Sequence, residues 1–343
     1  MTADPSLLEL LPSDEPAPLE LEELKDPGLF PRVQFFVSNF LTGYLRYAPG
    51  RINALVSAYT IAKSASMHRA AMNDLPHARA VFLDSGAFTP LVGCAKGTTT
   101  RDDLLGWAVN GPAVVTGLAR SLSEVGVASG VVAALDLPSY QPLLNAAQLS
   151  VQDAEAISVR NAELLLAADI PAGWRRVFTS QGVSLDDHMR CLDRYEKLGI
   201  LDAVATGDAW LAVGGMAFET ASNHQRDTGN HRVATVHREI RKRVPVGHIH
   251  SLGVTRVGIL APMVDAGWVN SADSSSPARE IQYNRGPYRV TGPRPSFVWE
   301  SLHAASALYY EAQLAQELAR LAKRAPVEVL ELPWYEQMAG GSL

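Results

Sequence analysis

Cysteine is almost missing from this chain: among 343 residues there are two, Cys94 and Cys191, and they form no C-x-x-C pair. That excludes a disulfide framework and a cysteine-rich zinc site. No apolar run approaches the roughly 18 residues that a membrane span requires, and Met1-Thr2-Ala3-Asp4 lacks the basic start of a signal peptide, so the expected location is cytoplasmic, with no membrane partner. Three signatures are also absent: G-x-x-x-x-G-K-[ST], G-x-G-x-x-G after the first apolar strand, and G-x-S-x-G. The phosphate cradle, the dinucleotide fingerprint and the hydrolase elbow go with them, and no cofactor is expected. There is no internal repeat and no low-complexity segment.

What is present is an ordinary globular composition, 47% apolar and 19% charged. The formal charge of −6 is unevenly spread. Asp4, Glu9, Asp14, Glu15, Glu20, Glu22, Glu23 and Asp26 face only Lys25 in the first 26 residues, a net of −7 that leaves the rest of the chain at +1. The proline-containing acidic stretch, residues 1–28, reads as a flexible leader. With it set aside, the body is neutral and basic patches can form on it.

From residue 29 to 325 short apolar runs alternate with longer amphipathic ones. Strands are expected at Val33–Ser38, Ala80–Asp84, Val131–Asp136, Val177–Ser180, Trp210–Gly214, Val246–His250 and Trp268–Asp273. Helices are expected at Asn53–Met72, Arg101–Val125 (capped by Thr100), Ser150–Ala168, Ser184–Leu198, Arg232–Arg243, Thr255–Ala266 and Ser296–Arg324, followed by a tail over 326–343. Strand–helix alternation implies a parallel sheet. Seven strands, with an eighth sought near Tyr288–Thr291, imply an α/β chain folded as a TIM-type (β/α)8 barrel, which needs roughly 250 residues.

Several of these strands end in residues suited to chemistry. Val81–Leu83 runs into Asp84-Ser85-Gly86-Ala87-Phe88, and Val131–Leu135 into Asp136. Val177–Ser180 leads to Gln181-Gly182, Leu211–Val213 to Gly214-Gly215, Val246–Ile249 to His250, and Trp268–Ala272 to Asp273. A parallel barrel gathers all its strand C-termini on one face, so these distant residues converge on one pocket. A lone strand-end aspartate is unremarkable, but a buried carboxylate is costly without a partner, and three together are hard to explain as packing. Carboxylates without a cofactor site suit glycosidic-bond chemistry, one attacking the anomeric carbon and another handling the leaving group's proton. An Asp–Gln pair with Gly-Gly backbone amides suits the Watson–Crick edge of a purine, and Phe88 its face.

Taken in order, Asp84-Ser85-Gly86-Ala87-Phe88, Ala134-Leu135-Asp136, Ser180-Gln181-Gly182, Val213-Gly214-Gly215 and His250-Ser251-Leu252-Gly253 resemble the motifs of tRNA-guanine transglycosylases, and Asp273-Ser274-Ser275-Ser276 resembles the nucleophile segment of their archaeal branch. The resemblance covers about residues 80–290. It implies a TIM barrel that exchanges a guanine in nucleic acid for a 7-deazaguanine through a covalent aspartyl intermediate. Asp273 would be the nucleophile and Asp84 its acid/base partner. Ser85, Phe88, Asp136, Gln181, Gly214, Gly215, His250 and Leu252 would surround the base. The departures matter as well. The tRNA enzymes carry three zinc-binding cysteines and a histidine after the nucleophile, whereas no cysteine follows Cys191. Nothing here matches the C-terminal RNA-binding domains of the archaeal enzymes, and the segment Met216–Glu219 is one residue shorter than the usual pattern. The chain is therefore most similar to the DNA-acting 7-deazaguanine transglycosylases, which place 7-cyano-7-deazaguanine or a derivative in bacterial or phage DNA. The partners implied are DNA and a 7-deazaguanine base. A homodimer or partner modification proteins fit this reading, as does the cytoplasm of a bacterium or of a phage-infected host.

Arg279, Arg285, Arg289 and Arg294 follow the nucleophile with only Glu280 opposing them, and are expected to contact phosphates. Arg241 and Arg243, beside Arg238 and Lys242 on a predicted helix, could do the same or form a solvated face. His248-Ile249-His250 has the H-x-H form of a metal-dependent hydrolase strand. It comes late in the chain and no other strand ends in histidine, so a pocket-lining His250 without metal is the reading preferred here. Three functions stand: base exchange in DNA, the same exchange on tRNA, and a metal-dependent barrel hydrolase.

Overall fold

A computed structural model describes residues 34–38, 42–215, 226–254, 256–275, 277, 279 and 296–322. The acidic leader, the C-terminal tail, Tyr288–Thr291, Glu219, Arg285, Arg289 and Arg294 lie outside them. Eight parallel strands close into a barrel in sequence order. They are β1 (Gln34–Ser38), β2 (Asn53–Ser57), β3 (Ala80–Asp84), β4 (Gly130–Ala133), β5 (Trp174–Ser180), β6 (Ala209–Val213), β7 (His248–Ser251) and β8 (Ser271–Ser274). Closure comes from β8 pairing with β1, with Phe36 opposite Asp273. The chain is thus a TIM-type (β/α)8 barrel.

The strand missing from the sequence reading is β2, and it lies inside the segment expected to be helical. Asn53–Ser57 is strand, and helix α1 (Ala58–Lys63) begins immediately after it. Ser57 is both the last strand residue and the helix N-cap, its hydroxyl accepting from Thr60 N–H at 3.3 Å. With no turn residues between them, the two elements share one apolar pattern.

Elsewhere the expected helices form where capping chemistry starts them. Helices α4 (Arg101–Glu124), α6 (Val151–Ala167) and α7 (Leu185–Lys197) open on capping boxes, in which Thr100, Ser150 and Ser184 exchange hydrogen bonds with Asp103, Asp153 and Asp187. Shorter helices α2 (Ala65–Asp74), α3 (Phe88–Lys96), α5 (Gln141–Ala146) and α8 (Ile200–Thr206) fill the connections, with α9 (Arg226–Arg243) before β7 and α10 (Val257–Asp265) before β8. No helix follows β1, only a 3-10 turn at Gly43–Tyr47. The long α11 (Ser296–Ala322) covers that gap, with Tyr310 stacked on Phe35 at 4.7 Å and Ala304, Ala307, Leu308, Leu314 and Leu318 buried. No helix among the described residues is long and apolar enough to cross a membrane.

Strand alternation divides the core in two. Outward-facing residues build the large layer beneath the helices. Inside the barrel Phe36, Leu55, Phe82, Val131, Ala133, Val177 and Ala212 form a compact apolar plug. That plug closes the interior, so polar groups toward the strand C-termini are open only to the mouth.

Candidate active site

Asp84, Asp136 and Asp273 come from strands three, four and eight and meet at the C-terminal mouth. Asp84 is the last residue of β3, and its Oδ2 accepts from Gly86 N–H at 3.0 Å. Gly86 has φ +74°, and a Cβ there would stand 2.1 Å from Ser57 Oγ, so only glycine lets the chain turn back over the carboxylate. Burial, the neighbouring Asp136 charge and the more distant Asp273 charge raise Asp84 to about 7, against the opposing pull of the Gly86 and Ser85 amides. Ser85 is buried behind it. Phe88, the first residue of α3, is 44% exposed and presents an aromatic ring at the mouth.

Asp136 sits just past β4 in a loop tied down at both ends. Ala134 N–H donates to Val177 O (2.9 Å) and Leu137 N–H to Ser158 Oγ (3.0 Å). Burial raises Asp136 to about 6, although the Gln181 side chain donates to its Oδ2 and pulls the other way. Gln181 Oε1 is buried with no hydrogen-bond partner. The pair therefore sets a buried amide oxygen without a partner beside a carboxylate engaged by the same amide group. Gly214 makes this close packing possible, because a Cβ there would lie 2.6 Å from Gln181 Nε2. The ends of β5, β6 and β7 are laced together by Gly214 N–H to Ser180 O (2.9 Å) and Leu252 N–H to Val213 O (3.1 Å). This fixes the stagger of Gln181, Gly214, Gly215 and Leu252.

Asp273 lies in β8 with Oδ1 accepting from Gly253 N–H at 2.8 Å and contacting His250 Nε2 at 3.3 Å. Asp273 Oδ2 accepts no hydrogen bond among the described residues. A cleft of about 320 Å³ opens beside Asp84, lined in part by Ser38, Ser57, Thr60, Phe88, Ser275 and Arg279.

Asp84, Asp136, Asp273, Phe88, Gln181, Gly214, Gly215 and Leu252 are thus brought to one mouth and Arg279 reaches its rim, whereas Ser85 and His250 are buried, His250 beneath it against Phe36 and Phe82. Arg285 and Arg289 lie outside the described residues. Arg241 and Arg243 are not at the mouth. Arg241 spans the opposite end of the barrel, donating to Val244 O (3.3 Å), Gly247 O (3.0 Å) and Asn270 Oδ1 (2.7 Å). Arg243 pairs on the surface with Glu196 and Asp193. The reason is geometric: these residues close a helix whose C-terminus must lead into the N-terminal end of β7. Of the two readings of this helix, phosphate contact or a solvated face, the position of Arg243 fits the second, while Arg241 is drawn into the base of the barrel.

Sequence reading assigned no role to Ser271 or Gly253 and weighed His248 only as part of a metal-binding pair. The signal for Ser271 and His248 was the two-residue spacing of Ser271-x-Asp273 and His248-x-His250, which puts each pair on one strand face. Gly253 acts through its backbone, which no side-chain motif reports.

No protein-family model matches the chain, and none of the curated proteins matches it. Among solved structures the chain is similar to a candidate fructose-1,6-biphosphate aldolase from Coccidioides immitis, at 14% identity over 88% of this chain and 99% of that chain, with a TM-score of 0.48. That likeness bears on neither substrate nor reaction.

Proposed function

We propose that this chain is a guanine transglycosylase that replaces a target guanine in DNA with a 7-deazaguanine, such as 7-cyano-7-deazaguanine. The observation that carries the reading is the pairing of two differently equipped carboxylates with a base-reading couple. Asp273 is held by one oxygen and, among the described residues, has the other unengaged, Asp84 is poised to hold or release a proton near neutrality, and Asp136 with Gln181 supplies a carboxylate and an amide to read a base. In this mechanism Asp273 Oδ2 attacks C1′ of the target nucleotide, the C1′–N9 bond breaks, and the Asp84 proton passes to the departing guanine. The incoming deazaguanine then returns a proton to Asp84 and its N9 displaces the aspartyl ester. An acid/base group works best when its pKa lies near the working pH, as burial and the neighbouring acids arrange for Asp84. Phe88 and Leu252 stack the flipped base, and Arg279 meets a flanking phosphate.

DNA is preferred to tRNA because no cysteine follows Cys191 to supply the zinc site of the tRNA enzymes. The hydrolase reading is weaker. Both ring nitrogens of His250 face protein groups, and no cluster of three or more metal-ligating side chains occurs among the described residues. Nucleoside mass spectrometry of DNA and tRNA from cells expressing the chain with a deazaguanine supply tests the proposal. The modified nucleoside is expected in DNA. Its appearance only in tRNA would move the activity to the second polymer, and activity lost with a bound metal on chelation would favour the hydrolase.

A further inference from the structure

Two short polar runs lie side by side within the barrel, His248 and His250 on β7 against Ser271 and Asp273 on β8, with His250 opposite Ser271 in the register. The contacts form an unbranched chain. His248 Nε2 lies 2.6 Å from Ser271 Oγ, Ser271 Oγ lies 2.8 Å from His250 Nδ1, and His250 Nε2 lies 3.3 Å from Asp273 Oδ1. His250 and Ser271 are fully buried. Aromatic rings hold both imidazoles in place: Trp210 stacks on His248 at 3.6 Å and 9°, while Phe82 and Phe36 pack on His250 at 4.7 and 5.9 Å.

Proton counting gives this chain a direction. A serine hydroxyl has one proton, so Ser271 donates to one imidazole and must accept from the other. Burial, the leading cause, pushes His248 down to about 3, so it takes part as a neutral ring. If Ser271 donated to His248, a His250 carrying a single ring proton would hold it on Nδ1 and turn a bare Nε2 lone pair on the Asp273 carboxylate. The reverse order pairs every donor with an acceptor: His248 Nε2–H to Ser271, Ser271 O–H to His250 Nδ1, His250 Nε2–H to Asp273.

We propose that His248–Ser271–His250 is a directional hydrogen-bond relay that locks His250 as its Nε2–H tautomer and makes it a positioning residue for Asp273. With His250 and the Gly253 amide both on Oδ1, the carboxylate plane is pinned and Oδ2 is the oxygen left to react. The catalytic consequence rests on the transglycosylase reading, in which Asp273 is the nucleophile. The tautomer does not.

Long-range proton–nitrogen NMR correlation on histidine-labelled protein near neutral pH tests the relay without any substrate, the His250 signals being assigned by their loss in His250→Gln. We expect a protonated Nε2 and a bare Nδ1 on His250, collapsing toward a tautomer mixture in Ser271→Ala. A protonated Nδ1 in the unmodified protein, or no change in Ser271→Ala, overturns the relay. The functional arm is single-turnover adduct formation on a guanine-containing oligonucleotide. His250→Leu should slow it by about 10²-fold through misplacement of the reacting carboxylate, with base affinity unchanged. His250→Gln, whose amide supplies a donor and an acceptor near the two ring nitrogens, should recover at least about tenfold of that loss. A His250→Leu protein as fast as the unmodified one removes the positioning role. If the tautomer result holds but no guanine polymer yields an adduct, the transglycosylase reading fails and the relay stands.

Discussion

The two ends of the barrel treat buried charge in opposite ways. At the N-terminal end charged side chains are set against groups of opposite polarity, including Glu311, which burial raises to about 7 but which faces Arg79 and Arg51. Arg241 bridges two backbone carbonyls and Asn270, Arg176 donates to Leu165 O and Ala168 O, and Arg79 donates to Asn53 Oδ1. At the C-terminal mouth like charges are crowded and partners withheld. Asp84 and Asp136 are both raised by burial, Asp84 further by its acidic neighbours, and Gln181 Oε1 has no partner. In this fold the first end maintains stability and the second carries chemistry. The contrast teaches that buried charges in one barrel can be told apart by whether their charged neighbours carry the opposite sign or the same one.

The sharpest way to break that comparison is to neutralise the mouth. Asp273→Asn should abolish the covalent adduct on a denaturing gel. Asp84→Asn should slow turnover by about 10²–10⁴-fold while making the protein more stable. The sign follows from linkage. Asp84 titrates near 7 in the fold against a reference of 3.8, so the folded state holds the extra proton, and stability declines as pH rises between those values. The asparagine avoids that loss, by about 2–4 kcal/mol at pH 8, with the gain vanishing toward pH 4 in denaturant titrations. A loss of stability at pH 8 would show that Asp84 is a structural group.

At the other end the expectation inverts. Arg241→Ala should cost about 2–3 kcal/mol of stability, measured by urea unfolding, and leave adduct formation per folded molecule unchanged. A loss of DNA affinity with stability intact would return Arg241 to the nucleic-acid interface. Asp136→Ala should weaken base binding by about 1–3 kcal/mol and relax the choice between guanine and its deaza analogue in competition assays. The smallest effect sharpens the comparison by touching neither end's polar groups. Thr100→Ala, which removes a helix cap, should cost about 1 kcal/mol and leave exchange kinetics unaltered.

Much of this architecture was legible in the chain because its signals are local. Capping at Thr100, Ser150 and Ser184, the apolar run Val131–Leu135 and the recurrence of Asp, Gln, Gly-Gly and His at strand ends each depend on neighbours in sequence. β2 was illegible because Asn53–Ser57 passes directly into α1 with no turn residue to separate the two apolar patterns. Arg241 and Arg243 misled because a row of basic residues looks the same on either end of a helix. Only the helix's direction relative to the barrel says which end meets the mouth.

By itself the sequence determined the alternation that builds a parallel barrel and the residue types at the strand ends, since both follow from local periodicity and polarity. Tertiary structure alone decided which neighbours those residues have. The shift of Asp84 requires Asp136 and Asp273 across the mouth, the free acceptor of Gln181 requires Gly214 to lack a side chain, and the direction of the relay requires β7 and β8 in a register that sets Ser271 against two histidines. Desolvation and hydrogen-bond direction are properties of a surrounding, and a surrounding exists only once strands far apart in sequence have been brought side by side.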